Sequence, residues 1–209
     1  MKKLYLVRHG ETDINRQWKI QGRSIDAPLN ATGEAQAEAL TAFFKTRPVD
    51  VVIASSLQRT HQTATPVAEM KGLAIRPYKE LDEMDFGDLE GLPVDEAGPL
   101  SAGIKEKWEA GNTDVPVQNG ESPDQVFERA STRILQLLND QTEKNWLFVL
   151  HGRLMRILLS GWLHGDLRYM EKVRHANGAI NVLQYNNGNF EPLLLHYTSH
   201  LNLKPEIQE

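Results

Sequence analysis

The sequence predicts an α/β fold, a three-layer sandwich in which helices cover both faces of a mainly parallel sheet. Three short apolar runs, residues 4–7, 51–54 and 146–150, lack polar alternation, which is typical of strands buried on both faces. Helical patterns separate the runs, and strands that alternate with helices favour a parallel sheet. The 209 residues contain no evident linker, so we expect a single domain over residues 1–209.

The segment after the first predicted strand, residues 10–32, is polar and rich in turn residues. We expect it to form a long loop with one helical turn, and loops of this length are often functional. Thr32 is predicted to cap the first helix, and Pro48 is predicted to end it.

The second predicted helix covers residues 58–70 and follows the second strand. Gly72 is a typical residue for closing it, because glycine adopts the left-handed conformation at helix ends. Pro66 lies inside the pattern, so we expect either a kink or two separate pieces.

Residues 84–120 are punctuated by glycine and proline. This pattern indicates a lid excursion rather than a core element, with a short helix around residues 104–108.

The last third of the chain returns to regular patterns. A helix is predicted to begin at Ser122, and another covers residues 153–163 after the third strand. Residues 180–185 and 190–195 flank an Asn-Asn-Gly-Asn turn at residues 186–189, which predicts an antiparallel hairpin.

Composition excludes several classes of function. The formal charge is −5 and the pI is near 5.8, which argues against nucleic acid as a partner because phosphate backbones require a broad basic surface. A locally basic pocket for a small anion remains compatible with this charge. The absence of cysteine excludes thiolate catalysis and cysteine metal sites. No apolar run is long enough to span a membrane, so we expect a cytoplasmic protein without a membrane partner.

Polar clusters follow each of the three buried strands. The clusters are Arg8-His9-Gly10, Ser55 with Arg59, and His151-Gly152-Arg153. Ligands of open α/β sheets bind outside the carboxyl ends of the strands, so we expect the three clusters to meet in one crevice. A glycine after each histidine would let the backbone approach an anion closely.

The convergence of two arginines and two histidines suits a tetrahedral dianion. Guanidinium groups donate in a fork to phosphate oxygens, and imidazole can act as a nucleophile, a base or a cationic donor. Taken singly, each of these residues is more often structural. A rival hypothesis places a metal on His9, His151 and Glu83. The two arginines argue against it, because they would repel a cation.

The wider pattern of motifs resembles a known family. The matching blocks are Leu6-Val7-Arg8-His9-Gly10-Glu11-Thr12 with Asn15, Asp26-Ala27-Pro28-Leu29, Thr32-Gly33, Gln36-Ala37, Ser55-Ser56-Leu57-Gln58-Arg59-Thr60, Gln62-Thr63-Ala64, Leu81-Asp82-Glu83-Met84-Asp85-Phe86-Gly87, Glu90-Gly91, Gly120-Glu121-Ser122 and Val149-Leu150-His151-Gly152. In this order they are similar to the signature of the histidine phosphatase superfamily, also called phosphoglycerate-mutase-like. The resemblance reaches about residue 185 and implies a phosphoglycerate-mutase-like sandwich with a small lid insertion.

The resemblance implies a hydrolase of small-molecule phosphate monoesters that needs no metal or organic cofactor. His9 would attack phosphorus and become a phosphohistidine. Glu83 would protonate the leaving alkoxide and later deprotonate the attacking water. Arg8, Arg59 and His151 would hold the phosphoryl oxygens and neutralise the transition state.

The resemblance also implies supporting residues. Further substrate contacts would be Asn15, Gln21, Gly22 and the backbone N–H of Gly152. Ser55 would support the ring of His9, and Glu11 and Glu121 are candidates for the rim of the site. The oligomeric state stays open, with a homodimer as one alternative.

The phosphatase branch is favoured over the mutases. Residues 84–91 read Met-Asp-Phe-Gly-Asp-Leu-Glu-Gly, as in phosphatase members, whereas the mutases carry an Arg-His-Tyr-Gly type of sequence there. A short lid should also admit water to the phosphohistidine. The alternative is a phosphoglycerate mutase that interconverts 2- and 3-phosphoglycerate. A non-catalytic phosphate binder on the same fold is the third hypothesis.

Some positions depart from the family pattern. Asp13-Ile14 precede Asn15 where an aromatic residue is usual, and Leu89 stands where phosphatases often have tryptophan. Arg153 occupies a position where smaller or neutral residues are common. These departures leave the identity of the substrate open.

Overall fold

The computed structural model describes residues 1–201 and contains one six-stranded sheet. The strands are β1 (Lys2–Arg8), β2 (Val51–Ser55), β3 (Ile75–Tyr78), β4 (Asn145–Leu150), β5 (Ile180–Asn186) and β6 (Asn189–Tyr197). Their order is β3-β2-β4-β1-β5-β6; the first four strands pair in parallel, and β5 pairs antiparallel with both of its neighbours, β1 and β6. The predicted mainly parallel sheet is therefore confirmed. Strand β3 was not predicted, because its sequence Ile-Arg-Pro-Tyr contains a proline that only an edge strand tolerates.

Helices cover both faces of the sheet. They are α1 (Asp13–Arg16), α2 (Ala31–Phe44), α3 (Gln58–Lys71), α4 (Val94–Glu109), α5 (Pro123–Asp140) and α6 (Gly152–His164). Successive residues of β1 point to opposite faces of the sheet and pack in two separate apolar layers. Leu4 and Leu6 pack with α5 and α6, whereas Tyr5 and Val7 pack with α2 and α3. This arrangement is the expected three-layer sandwich. None of the helices in residues 1–201 has the length and apolar character that crossing a membrane requires.

Helix α2 begins one residue before the predicted cap. Asn30 has extended backbone angles, and its side-chain oxygen accepts a hydrogen bond from the N–H of Gly33 at 2.9 Å. Asn30 is therefore the cap, and Thr32 lies inside the first turn, so the prediction for Thr32 was wrong. Asparagine and threonine both cap well, and local sequence alone did not separate them. The helix ends at Phe44, before Pro48.

Helix α3 is one element of 14 residues that includes Pro66, so division into two pieces was wrong. Proline removes one backbone hydrogen bond, but Ala64, Val67 and Ala68 are buried against the sheet and hold both sides of the helix in place. Gly72 closes the helix with φ 64°, as predicted.

The segment 84–120 is more ordered than the sequence suggested. It contains α4, which has 16 residues where a short helix around 104–108 was expected. Leu89, Ala97, Trp108 and Val117 are buried in the same apolar layer as β1. The interpretation of this segment as lying outside the core was therefore wrong at these positions, because sparse apolar anchors do not form a visible pattern.

The predicted start of α5 and the predicted hairpin are confirmed. Ser122 forms a reciprocal capping box with Gln125. In the hairpin, β5 and β6 are joined by Asn187 and Gly188, which have φ 48° and 89°. Positive φ at both central residues is the geometry of a type I′ turn.

Candidate active site

The sheet order brings the three polar clusters together. Strand β4 lies between β1 and β2, so all three clusters emerge at neighbouring carboxyl ends. The backbone N–H of His9 donates to Leu150 O at 2.9 Å, and the rings of His9 and His151 lie 5.3 Å apart at an angle of 61°. The predicted crevice is thus formed.

The imidazole of His9 has a defined tautomer. Its Nδ1 lies 2.7 Å from the carbonyl oxygen of Gly10, which can only accept, so Nδ1 carries the hydrogen. Burial lowers the pKa of His9 well below its ordinary value, and the positive charges of Arg59 and Arg8 lower it further. The ring is therefore neutral at physiological pH, and its Nε2 holds a free lone pair.

Both glycines that follow a histidine lie in tight contacts. A Cβ at Gly10 would lie 2.5 Å from the carbonyl oxygen of Gly33 at the start of α2. A Cβ at Gly152 would lie 2.8 Å from His175 Cδ2 and 3.1 Å from Arg8 Nε. Gly10 is therefore required by packing against α2, and the close approach of its backbone to an anion stays a prediction.

His151 is fully buried and presents one ring nitrogen to the site. Its Nε2 lies 2.8 Å from Ser55 Oγ, and its Nδ1 has no hydrogen-bond partner in residues 1–201. Burial, and then the charge of Arg59, lowers the pKa of His151 well below its ordinary value. Ser55 therefore supports His151 and not His9 as expected, because β2 neighbours β4 in the sheet and β1 does not.

Two arginines reach the same place from different elements. Arg59 is fully buried on α3 and donates to Ile25 O at 3.0 Å and to Gly22 O at 3.1 Å. Arg8 Nη1 donates to His175 O at 2.8 Å. The Nε atoms of both arginines are buried and lack a partner in the described part of the chain. Gly22, predicted to contact substrate, contributes here by holding Arg59.

Arg8 is a buried cation whose positive charge is only partly balanced by Glu83. Burial lowers its pKa to about 10, which the charge of Glu83 partly opposes and the charges of Arg59 and Arg156 reinforce. Arg8 nevertheless remains charged at neutral pH. A phosphoryl dianion beside Arg8 and Arg59 would supply the missing counter-charge.

Glu83 lies at the first turn of α6 with only 5% of its surface exposed. Its Oε1 accepts from the N–H groups of Met84 at 2.9 Å and Leu154 at 2.8 Å, and its Oε2 accepts from Arg153 N–H at 2.9 Å. Three backbone N–H groups, two of them in the first turn of α6, therefore fix the position of the Glu83 carboxyl group. Within residues 1–201, His9, His151 and Glu83 are not grouped as ligands of one metal ion.

Asn15 and Gln21 line the cavity as predicted, and a third amide joins them. Asn15 Nδ2 donates to Gln21 Oε1 at 3.3 Å, while Asn177 Nδ2 donates to Asn15 Oδ1 at 3.1 Å and to His9 O at 3.0 Å. Sequence reasoning missed Asn177, because it follows no strand or motif and reaches His9 only through the fold.

Glu121 acts behind the site and not at its rim. Its carboxylate accepts from Arg129 at 2.8 Å and from Asp85 N–H at 2.9 Å, and Glu121 does not line the cavity. Arg129 also donates to the carbonyl oxygens of Asp82 and Glu83 at 2.9 and 3.2 Å. This pair therefore braces the loop that carries Glu83. Glu11, the other rim candidate, does line the cavity.

A cavity of about 1040 Å³ extends from this cluster to helix α4. Its charged lining residues are Arg8, Glu11, Arg16, Lys19, Glu83, Lys105, Arg153, Arg156 and Glu171. Positive side chains outnumber negative ones, although the whole chain carries a formal charge of −5. The site is thus a local anion-binding region.

Residues 4–198 match the family model described as "Histidine phosphatase superfamily (branch 1)". The chain belongs to the histidine phosphatase superfamily. The match covers all the polar clusters of the site and every strand of the sheet, apart from the first two residues of β1. The resemblance inferred from the motifs is therefore confirmed.

The relatives of this chain carry both phosphatase and phosphoglycerate mutase names. The chain is 34% identical over 185 residues to a probable phosphoglycerate mutase, GpmB, of Enterobacter sp. (strain 638), covering 88% of this chain and 86% of that protein. It is 30% identical over 202 residues to the uncharacterized phosphatase PhoE of Bacillus subtilis (strain 168), covering 97% and 98%.

A solved structure of the superfamily has the same fold. It is a phosphoserine phosphatase from Entamoeba histolytica in complex with 3-phosphoglyceric acid, with a TM-score of 0.84, 27% identity and coverage of 96% of this chain and 100% of that one. The present chain is thus an enzyme of the histidine phosphatase superfamily, with phosphatase and mutase relatives.

Proposed function

We propose that this enzyme is a metal-independent phosphomonoester hydrolase that forms a phosphohistidine on His9. The observation that carries the proposal is the neutral imidazole of His9, hydrogen-bonded through Nδ1 and placed beside donor groups of Arg8, Arg59 and His151 that have no partner within residues 1–201. A nucleophile next to an incomplete anion site is the arrangement that phosphoryl transfer requires.

In the first step, the lone pair of His9 Nε2 attacks phosphorus and the bond from phosphorus to the ester oxygen breaks. Arg8, Arg59 and the Nδ1 side of His151 hold the non-bridging oxygens, where charge is greatest in the transition state. Glu83 donates its proton to the departing alkoxide, so that an alcohol leaves.

In the second step, water attacks the phosphohistidine. Glu83, now a carboxylate, accepts a proton from that water, and the bond from phosphorus to His9 Nε2 breaks. Inorganic phosphate leaves, and His9 and the protonated Glu83 are regenerated.

Hydrolysis is favoured over mutase activity by the lid. A mutase must keep its phosphohistidine dry until the second hydroxyl returns, whereas helix α4 leaves a cavity of about 1040 Å³ beside Glu83. The uncharacterized phosphatase and the phosphoserine phosphatase among the relatives support this choice. The similarity to a probable phosphoglycerate mutase supports the alternative, which is mutase activity.

The test is phosphate release from an aryl phosphate in the presence of EDTA, together with acid quenching to trap a phosphoenzyme. We expect turnover, and an acid-labile, base-stable phosphoenzyme that disappears in His9→Ala. His164→Ala is the matched control, because His164 is an exposed residue at the end of α6 outside the cavity. Undiminished turnover in His9→Ala would overturn the mechanism. Interconversion of 2- and 3-phosphoglycerate faster than phosphate release would replace hydrolase by mutase.

A further inference from the structure

The outer part of the cavity is more basic than the phosphate site needs. Apart from Arg8 and Glu83, the charged lining residues comprise five cations and two carboxylates: Arg16, Lys19, Lys105, Arg153 and Arg156 against Glu11 and Glu171. The proposed mechanism uses none of these. The excess of positive charge therefore requires a separate explanation.

Two of these arginines share one counter-ion. Arg153 Nη1 pairs with Glu171 Oε1, and Arg156 Nη2 pairs with Glu171 Oε2. Their side chains are 17% and 12% exposed, so both pairs lie at the wall of the cavity. One carboxylate cannot neutralise two guanidinium groups, and a positive charge remains there.

The two arginines are held to different degrees. Arg156 is anchored to the segment after α6, because Nε donates to Met170 O at 2.8 Å and Nη2 to Glu171 O at 2.9 Å. Arg153 forms only the pair with Glu171 through its side chain, within residues 1–201. Its Cζ lies 5.9 Å from the ring centre of Trp108. The Nε and Nη2 donors of Arg153 are therefore free to bind a ligand.

Arg153 stands next to the position of the leaving group. Its own backbone N–H binds Glu83 Oε2, so Arg153 and the proton donor are attached to the same turn of α6. Arg156 lies three residues further along, on the same side of the helix. An alcohol that takes its proton from Glu83 therefore projects towards these two arginines.

His175, a neighbour of these arginines in the cavity lining, adds no charge of its own. Burial, and then the charges of Arg8, Arg156 and Arg153, lowers the pKa of His175 to about 3. His175 is thus neutral at physiological pH and adds no positive charge to the lining of the cavity.

We propose that Arg153 and Arg156 form a second anion subsite, and that the substrate is a small phosphate monoester whose alcohol part carries a carboxylate or a second phosphate. This inference rests on the proposed function. A guanidinium fork matches either anion, and the ligand anion would displace Glu171 from Arg153. A neutral alcohol would leave both arginines paired only to Glu171.

The test separates binding from turnover. Calorimetry on His9→Ala compares 3-phosphoglycerate with glycerol 1-phosphate, which has a hydroxymethyl group in place of the carboxylate, and glycerol 1,3-bisphosphate provides the second-phosphate arm. We expect 3-phosphoglycerate and glycerol 1,3-bisphosphate, which carry a second anionic group, to bind at least about 10-fold more tightly than glycerol 1-phosphate. This difference is in the range of a hydrogen bond to a charged group.

Variants assign this preference to Arg153. In the His9→Ala background, Arg153→Gln should reduce the preference to about 3-fold or less, and Arg153→Lys should keep part of it because the charge remains. Arg168→Gln is the matched control: it removes the same charge from an exposed arginine that pairs with Asp166 outside the cavity. It should keep the full preference.

Two outcomes would overturn the subsite. Equal binding of the ligands to His9→Ala would do so, as would equal effects of Arg153→Gln and Arg168→Gln. Steady-state kinetics with intact His9 should show a rise in KM of about 10-fold or more for 3-phosphoglycerate in Arg153→Gln, and a rise below 2-fold for glycerol 1-phosphate. Failure of the enzyme to hydrolyse any ester would overturn the proposed function, and the binding ratio would still decide the subsite.

Discussion

Ser55 Oγ lies 2.8 Å from Nε2 of His151, which ties the end of β2 to the end of β4 within the active site. The same oxygen lies 2.9 Å from Thr60 Oγ1 and accepts from Leu57 N–H at 3.2 Å. The serine thus connects the ring of His151 to the start of α3, the helix that carries Arg59.

Ser55→Ala should impair both catalysis and stability. It leaves a buried nitrogen of His151 without a partner, which costs about 1–3 kcal/mol of unfolding free energy. The ring also loses its orientation, so kcat should fall by about 10-fold or more. Urea unfolding and kinetics measure the two effects. Ser199→Ala, at an exposed position, is the control. Unchanged kcat in Ser55→Ala would show that Ser55 does not position His151.

Gly152→Ala should displace Arg8 and lower kcat/KM. The added methyl group would lie 2.8 Å from His175 Cδ2 and 3.1 Å from Arg8 Nε, so the guanidinium of Arg8 must move out of the phosphate site. We expect a loss of about 100-fold, equivalent to about 2.7 kcal/mol of transition-state stabilisation. Gly103→Ala is the matched control, because no atom of residues 1–201 would contact its added Cβ within 4 Å. Gly103 is inside α4, so this variant should gain up to about 1 kcal/mol of stability. Normal kcat/KM in Gly152→Ala would contradict the role of Arg8.

Arg129→Gln should loosen the loop that carries Glu83. Arg129 donates to Glu121 and to three backbone carbonyls, so its loss should cost about 2–4 kcal/mol of unfolding free energy. Arg133→Gln is the control one turn along α5, since the Arg133–Glu80 pair is 32% and 38% exposed. That exposed pair should contribute less than about 1 kcal/mol. Similar losses in the two variants would exclude a special bracing role for Arg129.

Stability should fall as the pH is lowered below about 6.5. Burial depresses the pKa of His9, His151 and His175 in the folded protein, so these rings take up protons only on unfolding. Between the depressed folded pKa and the unfolded value near 6.5, each ring removes up to about 1.4 kcal/mol per pH unit. Above about pH 7 this contribution to stability is fully present.

Urea unfolding between pH 7.5 and 4.5 measures this slope. His175→Gln should reduce the slope by up to about 1.4 kcal/mol per pH unit, the equivalent of one proton taken up on unfolding. The reason is that the pKa of His175 in the folded protein is about 3. The backbone carbonyl that holds Arg8 is retained in this variant. An unchanged slope would show that His175 is accessible to protons in the folded enzyme.

Inorganic phosphate should stabilise the enzyme against heat. Arg8 and Arg59 each keep a buried Nε without a partner among the residues that the structure describes. An anion that binds only the folded state adds about 2.7 kcal/mol at 100 times its Kd. Tm should rise with phosphate in the unmodified enzyme and stay nearly constant in Arg59→Gln. Sulfate at equal ionic strength separates anion binding from screening. Equal shifts in both proteins would place the anion elsewhere.

Local patterns were enough to predict the sandwich, three of the parallel strands, the hairpin and the positions of His9, Arg59 and His151. These features depend on interactions between residues close in sequence: apolar runs, capping boxes, and the rule that ligands bind at the carboxyl ends of strands. Glu83 was different, because residues 80–90 contain six acidic residues and only the family resemblance selected one of them.

Tertiary structure alone decided which groups touch. It paired Ser55 with His151, moved Glu121 behind the loop of Glu83, and brought Asn177 to the carbonyl of His9. Each contact joins residues far apart in the chain, and the Ser55–His151 and Asn177–His9 contacts depend on which strands neighbour one another in the sheet. A one-dimensional pattern carries no information on that order, because the same alternation of strands and helices is compatible with several sheet topologies.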